Sequence, residues 1–183
     1  MVFVVGGTPY NRAMGKIAFG LIVIGIISAI VWLERSVDVS VCTNAGSDIY
    51  SLTYSDEKGR CTQLSEFKAH IVVINTWASW CPFCVDELPD LGQLAEEFPE
   101  VPVVAINRGE ETKEAQAFLK SLSVSKKLYT LFDPEDSFYA FIKGFGMPET
   151  IFINQTGEIL LHKRGVMSLE EMREIILSLQ KEV

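Results

Sequence analysis

Histidine and cysteine are scarce in this chain of 183 residues, which has two of the first and four of the second. A structural zinc site usually takes four such ligands in tetrahedral geometry. Cys81 and Cys84 form one close pair, but Cys42, Cys61 and both histidines lie apart in the sequence and form no second pair. We therefore expect neither a bound metal nor a cofactor.

Basic residues are also in the minority, with 16 lysines and arginines against 24 aspartates and glutamates, for a net charge of −8. Proteins that bind nucleic acids neutralise phosphates with clustered lysine and arginine side chains. No such cluster is visible in the sequence, so we expect no nucleic-acid partner. Internal repeats and low-complexity tracts are absent as well, so one domain with an appendage is the simplest organisation.

Charged residues are absent from 17–33, which is apolar apart from two glycines and one serine. As a helix, this stretch rises about 25 Å, which is at the short end for crossing a bilayer. Arg12 and Lys16 precede it and the first acidic residue is Glu34, so the positive-inside tendency keeps the N-terminus in the cytoplasm. A cleaved signal peptide is the alternative.

The favoured interpretation is an uncleaved signal anchor in a single-pass protein of the cell membrane. The lipid bilayer is then one partner, and the C-terminal domain is extracytoplasmic. Four cysteines in such a domain agree with oxidising surroundings. The predicted segments are a cytoplasmic segment 1–16, a transmembrane helix 17–33, a tether 34–47 and a folded domain 48–183.

The most informative motif is Trp-Cys-Pro-Phe-Cys at 80–84, shortly after an apolar run at 71–74. Two cysteines three positions apart on a strand-to-helix turn can close a small disulfide that opens at little conformational cost. The positive end of the helix dipole favours the thiolate form of the first cysteine. These features predict thiol–disulfide exchange, and the alternatives are half of a metal site or two structural thiols.

Hydrophobic periodicity predicts alternating strands and helices over the rest of the domain. The predicted strands are 49–54, 70–77, 101–107, 128–132, 150–154 and 158–162. The predicted helices are a single turn at 64–68 and segments that begin near Pro82, Thr112, Asp133 and Ser168. Successive β-α-β units that end in a hairpin and a helix give a mixed sheet covered on both faces. With the cysteine pair after the second strand, this α/β arrangement is the thioredoxin fold.

On these motifs the chain resembles membrane-anchored thioredoxin-like proteins of the ResA/TlpA type over roughly residues 47–182. The segments that carry the resemblance are 64–68, 75–84, 87–89, 146–153 and 157–159. The resemblance implies exchange with protein disulfides or dithiols outside the cytoplasm, supplied by a membrane electron donor. In this family such exchange commonly serves cytochrome c maturation, with apocytochrome c as substrate, or the reduction of other exported proteins.

Three residues are candidates for the chemistry. Cys81 is expected to lie nearer the solvent and to attack, while Cys84, one turn inside the helix, resolves the mixed disulfide. Glu87 follows Cys84 by one helical turn, where the family places an acidic residue, so a half-buried carboxylate there could move the thiol proton. Asn75 stands where thioredoxins keep a buried aspartate, and it cannot act as a base. A solvated helix glutamate is the alternative for Glu87.

Pro148 resembles the family's cis-proline beside the cysteine pair, and a cis X-Pro bond is uncommon enough to indicate a specific role. It would expose the backbone of Met147 for pairing with an extended substrate segment. Trp80, Pro82 and Phe83 flank the cysteines and complete the predicted substrate-binding set. A trans turn proline and core filling by the tryptophan are the alternatives.

The direction of electron flow depends on the residues between the cysteines. Phe83 brings neither the charge nor the hydrogen bonding of a histidine, which favours a potential of about −200 to −270 mV and therefore a disulfide reductase. A thiol oxidase, which runs the same exchange in reverse, is one alternative. A metallochaperone that binds copper through Cys81, Cys84 and a histidine is an alternative of another class.

Cys42 and Cys61 remain, on either side of the predicted strand at 49–54. A hairpin-like return would bring their Cα atoms within the roughly 4.4–6.8 Å that a bridge requires, so we predict a structural disulfide. The alternatives are two separate thiols and a second redox pair that relays electrons to Cys81 and Cys84.

Overall fold

The computed structural model describes residues 42, 44 and 46–182. The predicted cytoplasmic segment 1–16, the transmembrane helix 17–33 and most of the tether 34–47 lie outside the described residues. Within the described part, no helix is both long and apolar enough to cross a membrane.

The described residues form one mixed sheet with helices on both of its faces. Its strands are β1 (Thr53–Asp56), β2 (Cys61–Gln63), β3 (Ile71–Trp77), β4 (Val103–Arg108), β5 (Tyr129–Asp133), β6 (Glu149–Asn154) and β7 (Ile159–Arg164). The α-helices are α1 (Pro82–Glu97), α2 (Thr112–Ser121), α3 (Ser137–Phe141) and α4 (Leu169–Glu182), and 3-10 turns occupy Ile49–Ser51 and Leu64–Phe67. The strand order is β2-β1-β5-β4-β3-β6-β7, in which β3 runs parallel to β4 and antiparallel to β6.

Strand β3 lies at the centre of the sheet, and all seven of its residues are buried. Successive side chains of a strand point to opposite faces. Ile71 and Val73 belong to a core cluster that includes residues of α1 and α4, whereas Val72 and Ile74 belong to a second cluster that includes Phe138 of α3. The sheet is therefore covered on both faces, and the prediction of an α/β thioredoxin-like fold is confirmed.

Helix α1 begins where the sequence predicts it. Cys81 is its N-cap and Pro82 is its first residue, where the missing N–H of proline costs no intrahelical hydrogen bond. The helix then buries Leu88, Leu91 and Leu94 in the same cluster as Val73. Because the short turn 78–81 joins β3 to α1, the core packing of both elements fixes the position of the cysteine pair.

The predicted strand at 49–54 is wrong in its first half. Ile49–Ser51 form a 3-10 turn because the Asp48 carboxylate accepts the N–H of Tyr50 at 2.9 Å and caps the turn. Strand β1 starts only at Thr53 and pairs with β2, a strand of three residues that the sequence did not predict. The cysteine pair at the end of β3 consequently follows the third strand of the chain, not the second.

The residues before β1 return beside the β1–β2 hairpin. Cys42 and Cys61 form a disulfide with their Cα atoms 5.6 Å apart, and Cys61 pairs with Ser55 across the hairpin. Asn44 lies alongside, since its Oδ1 accepts the N–H of Thr53 at 2.6 Å. This disulfide fastens the last residues of the predicted tether to the edge of the sheet.

Removing this bridge should lower the free energy of unfolding by about 3 kcal/mol, because it closes a loop with a sequence separation of 19 and restricts the unfolded chain. The measurement is urea unfolding of the Cys42→Ser/Cys61→Ser variant in a Cys81→Ser/Cys84→Ser background, in which only one disulfide can exist. The background variant is the control. A loss below about 1 kcal/mol would contradict a stabilising role.

Candidate active site

The candidate site is built on the Cys81–Cys84 disulfide at the N-terminus of α1, where the two Cα atoms lie 5.3 Å apart. The N–H of Cys81 donates to the carbonyl of Ala78 at 3.1 Å and closes the turn that leaves β3. The N–H of Cys84 donates to Sγ of Cys81 at 3.2 Å. The first turn of the helix thus directs a backbone donor at the sulfur of Cys81, which would stabilise a thiolate there.

The two cysteines are both buried, with 5% of Cys81 and 1% of Cys84 exposed. Cys81 is slightly more exposed than Cys84, as its predicted role as the attacking cysteine requires. Trp80 and Phe83, on either side of Cys81, are 60% and 64% exposed, and Pro82 between the cysteines is exposed as well. A sulfur of low accessibility therefore lies within an exposed apolar rim, which we define as Trp80, Pro82 and Phe83.

The two tryptophans that bracket the motif differ in environment. Trp77, at the end of β3, is fully buried and packs in the core, with its ring centroid 6.5 Å from that of Phe118. Its indole Nε1 is buried without a hydrogen-bond partner. Core filling thus accounts for Trp77 but not for the exposed Trp80.

The peptide bond between Met147 and Pro148 is cis, as the resemblance implies. Met147 packs against the core cluster that contains both Cys81 and Cys84, and its sulfur lies 4.0 Å from Oγ1 of Thr76. The carbonyl of Pro148 accepts the N–H of Gly165 at 2.8 Å. These contacts hold the loop before β6 at the end of β3 from which the cysteine turn departs.

A buried carboxylate that the sequence analysis missed anchors this loop. Oε1 of Glu149 accepts the N–H groups of Phe145 and Gly146 at 2.5 and 2.6 Å, and Oε2 lies 2.5 Å from Nε2 of His162. Burial alone would raise the pKa of Glu149, but the hydrogen bonds from Gly146, Phe145 and His162 outweigh it and hold that pKa below its usual range. The sequence signal was an acidic residue directly before the predicted strand at 150–154.

Glu87 is more deeply buried than the sequence suggested, with 2% of it exposed, so the alternative of a solvated helix glutamate is wrong. Its Oε1 accepts the N–H of Met167 at 2.8 Å, and its Oε2 accepts Nδ2 of Asn75 at 3.0 Å. Nδ2 of Asn75 also donates to Oγ1 of Thr150 at 2.9 Å. Asn75 therefore acts as the hydrogen-bond donor that orients Glu87.

Burial raises the pKa of Glu87 to about 7, although the hydrogen bonds from Met167 and Asn75 oppose the shift. A carboxyl group that titrates near neutral pH can both accept and donate a proton under physiological conditions. Glu87 follows Cys84 by one turn of α1. The helix that carries the cysteines therefore also carries a buried carboxyl group of raised pKa.

Neither histidine lies beside the cysteine pair in a ligand arrangement. His70 precedes β3, at the opposite end of that strand from the cysteine turn, and His162 is engaged by Glu149. Among residues 42, 44 and 46–182, no group of three or more histidine, cysteine, aspartate or glutamate side chains is arranged to hold a metal ion.

Comparison with known proteins agrees with this geometry. The sequence profile of the AhpC/TSA family matches residues 45–162. The chain is 29% identical over 140 residues to thiol-disulfide oxidoreductase ResA of Halalkalibacterium halodurans. This alignment covers 72% of this chain and 77% of that relative. It is 28% identical over 127 residues to thiol:disulfide interchange protein DsbE of Vibrio cholerae. That alignment covers 69% of this chain and 67% of the relative.

Solved structures of similar proteins match the fold of most of this chain. The structure of MTB dsbF in its mixed oxidized and reduced forms gives a TM-score of 0.65 at 25% identity and covers 73% of this chain and 98% of that chain. A DsbE-type thiol:disulfide interchange protein from Chlorobium tepidum gives a TM-score of 0.64 at 25% identity. The match covers 70% of this chain and 92% of that chain.

The raised pKa of Glu87 predicts a pH dependence of stability. Because the folded-state pKa of about 7 exceeds the ordinary value of 4.5, the folded protein keeps a proton that the unfolded chain has lost between these values. The free energy of unfolding should therefore fall by up to about 3 kcal/mol as the pH rises through this window. Glu87→Gln, which cannot ionise, should remove this slope in urea unfolding measured from pH 4.5 to pH 7.5.

The exposed neighbour Asp86 provides a matched control. Asp86→Asn should leave the wild-type slope in place, since it changes the same charge on the same helical turn without changing a buried group. A wild-type slope in the Glu87→Gln variant would show that Glu87 does not carry the titration.

Proposed function

The chain belongs to the AhpC/TSA family and is a thiol–disulfide oxidoreductase of the ResA and DsbE type, and we propose that it reduces disulfides of exported proteins outside the cytoplasm. In this proposal the segment 17–33 holds the domain at the membrane, and Cys81 and Cys84 form the exchanging pair. The observation that supports it most is the hydrogen bond from the N–H of Cys84 to Sγ of Cys81, within an exposed apolar rim.

Cys81 is the attacking residue in this proposal. Its sulfur receives the backbone donor at the helix N-terminus, so Cys81 is the cysteine whose thiolate the fold favours. Attack on a substrate disulfide joins Sγ of Cys81 to one substrate sulfur, and the other substrate sulfur leaves as a thiolate and takes up a proton. The thiol of Cys84 then loses its proton and attacks Sγ of Cys81. The second substrate sulfur leaves as a thiolate and takes up a proton from water, and the protein pair has given up two electrons.

Glu87 receives the proton that Cys84 releases. It lies one helical turn beyond Cys84, and its pKa of about 7 leaves a substantial carboxylate fraction at neutral pH. The hydrogen bond from Asn75 keeps the carboxyl group oriented in both protonation states. The same group can return a proton when a membrane dithiol donor reduces the Cys81–Cys84 disulfide again.

The substrate in this proposal is an extended polypeptide with exposed cysteines, such as apocytochrome c. The apolar rim of Trp80, Pro82 and Phe83 and the cis peptide at Met147–Pro148 present a surface that suits an unfolded segment rather than a small molecule. Phe83 adds no charge or hydrogen bond between the cysteines, so we propose a potential of about −200 to −270 mV. A potential near the −120 mV or so of strong oxidants would instead assign thiol oxidation.

Substitution of Cys81 and substitution of Cys84 should have different effects on exchange. In the full chain, Cys81→Ser should abolish insulin reduction, because no attacking thiolate remains. Cys84→Ser should still attack but accumulate mixed disulfides, which non-reducing electrophoresis and mass spectrometry detect. The control is Cys42→Ser/Cys61→Ser, which should retain exchange and thereby exclude a relay. Mixed disulfides that form only after removal of Cys81 would reverse the two roles.

A further inference from the structure

One carboxylate outside the cysteine pair binds the turn that carries Cys81. Oε2 of Glu110 accepts the N–H of Ser79 at 2.8 Å, and Oε1 accepts the Ser79 hydroxyl. Oε2 also accepts Nδ2 of Asn107 at 2.6 Å. Ser79 lies two residues before Cys81, and Asn107 pairs with Trp77 across β4 and β3. Glu110 therefore connects the end of β4 to the cysteine turn.

The backbone after β4 places Glu110 in this position. Gly109 has a φ of +63°, which residues with a side chain rarely adopt, and its N–H donates to the carbonyl of Asp133 at 2.9 Å. The chain turns at this glycine instead of continuing the direction of β4. Glu110 follows immediately, before α2 begins at Thr112.

We propose that Glu110 is a positioning residue for exchange, which holds residues 78–81 in place when the Cys81–Cys84 disulfide is open. This inference rests on the proposed exchange at that pair. In the oxidised protein, the covalent bond to Cys84 fixes Cys81 whatever else contacts the turn. In the reduced protein that constraint is gone. The turn is then held by the Cys81–Ala78 backbone hydrogen bond, by the N–H groups of Cys84 and Val85 that donate to the carbonyl of Cys81, and by the bonds from Ser79 to Glu110. Of these, only the bonds to the Glu110 carboxylate belong to the stronger, charge-assisted class.

The reduced form should therefore depend on Glu110 more than the oxidised form does. Loss of Glu110 destabilises the reduced protein more, so the disulfide becomes harder to reduce and the potential becomes more negative. A residue with a merely structural role would lower the stability of both forms equally and leave the potential unchanged. The charge of Glu110 would act in the opposite direction, because a nearby negative charge disfavours the Cys81 thiolate and its removal makes the disulfide easier to reduce.

The test is the equilibrium of the full chain with reduced and oxidised dithiothreitol, in which one protein disulfide becomes a dithiol as one dithiothreitol closes its ring. Thiol labelling after acid quenching gives the two populations. Glu110→Ala should shift this equilibrium about tenfold toward the disulfide, since it removes charge-assisted hydrogen bonds. A tenfold change equals about 30 mV for a two-electron couple. Glu110→Gln, which keeps one acceptor oxygen for Ser79, should shift it less and in the same direction.

The adjacent Glu111 offers a matched control, because it is exposed and makes no side-chain hydrogen bond at the start of α2. Glu111→Ala removes the same charge one residue along and should stay within about twofold of the wild type, since that size of change is usual for surface substitutions. Urea unfolding of each variant, oxidised and reduced, should show the larger loss in the reduced form of Glu110→Ala.

Four results would overturn the inference. An unchanged equilibrium in Glu110→Ala would make the residue merely structural, and a shift toward the dithiol would assign the effect to its charge. If Glu110→Ala does not fold, the Ser79→Ala variant is measured in its place. It should shift the equilibrium about threefold toward the disulfide, because it loses one hydrogen bond. No shift in this variant would overturn the inference. A wild-type pair that does not equilibrate with dithiothreitol would overturn the proposed function as well, which distinguishes the two failures.

Discussion

Burial of β3 on both faces is the constraint on which the rest of the structure depends. Because none of its seven residues is exposed, the strand cannot shift by one residue without placing polar groups in an apolar cluster. Each part of the candidate site is attached to it. Asn75 binds Glu87, Thr76 donates to the carbonyl of Glu149 at 3.3 Å, and Trp77 is followed by the turn into the cysteine pair. The precision of the site thus derives from the rigidity of one central strand.

Two buried carboxyl groups near this strand show how the number of hydrogen-bond donors around a carboxylate determines its pKa. Glu87 and Glu149 are both removed from water, which favours the neutral acid in each case. Glu149 receives two backbone N–H groups on one oxygen and contacts His162 with the other, so its charged form wins. Glu87 receives one N–H and one amide, which is too little to offset burial, and its pKa rises to about 7. The pKa of one carboxyl group is therefore lowered and that of the other is raised, although both are buried.

The sequence predicted the parts of the fold that depend on local patterns. The apolar run in β3, the proline at the start of α1 and the hairpin turn between β6 and β7 are each contained in a short stretch of sequence, and the structure confirms these elements. The strand predicted at 49–54 failed because a 3-10 turn capped by Asp48 buries Ile49, Tyr50 and Leu52 almost as an alternating strand would. Strand β2 has three residues, too few to display a period.

The hydrogen-bond partners that hold the site together were beyond sequence reasoning for a different reason. Glu110 contacts Ser79 across 31 positions, and Glu87 contacts Met167 across 80. No local sequence pattern identifies such partners, because a glutamate that binds a distant residue cannot be distinguished in the sequence from an exposed one. The cysteine motif was recognisable because its chemistry is contained in four consecutive residues, Cys81 to Cys84.

The order of the two disulfides along the chain has a consequence for biosynthesis. Four cysteines can pair in three ways, and this protein joins the first to the second and the third to the fourth. In a chain synthesised from its N-terminus, Cys42 and Cys61 both emerge before Cys81 appears. Each correct bridge can therefore close before a competing thiol arrives. The order of emergence alone would favour the native pairing, without a later reshuffling step.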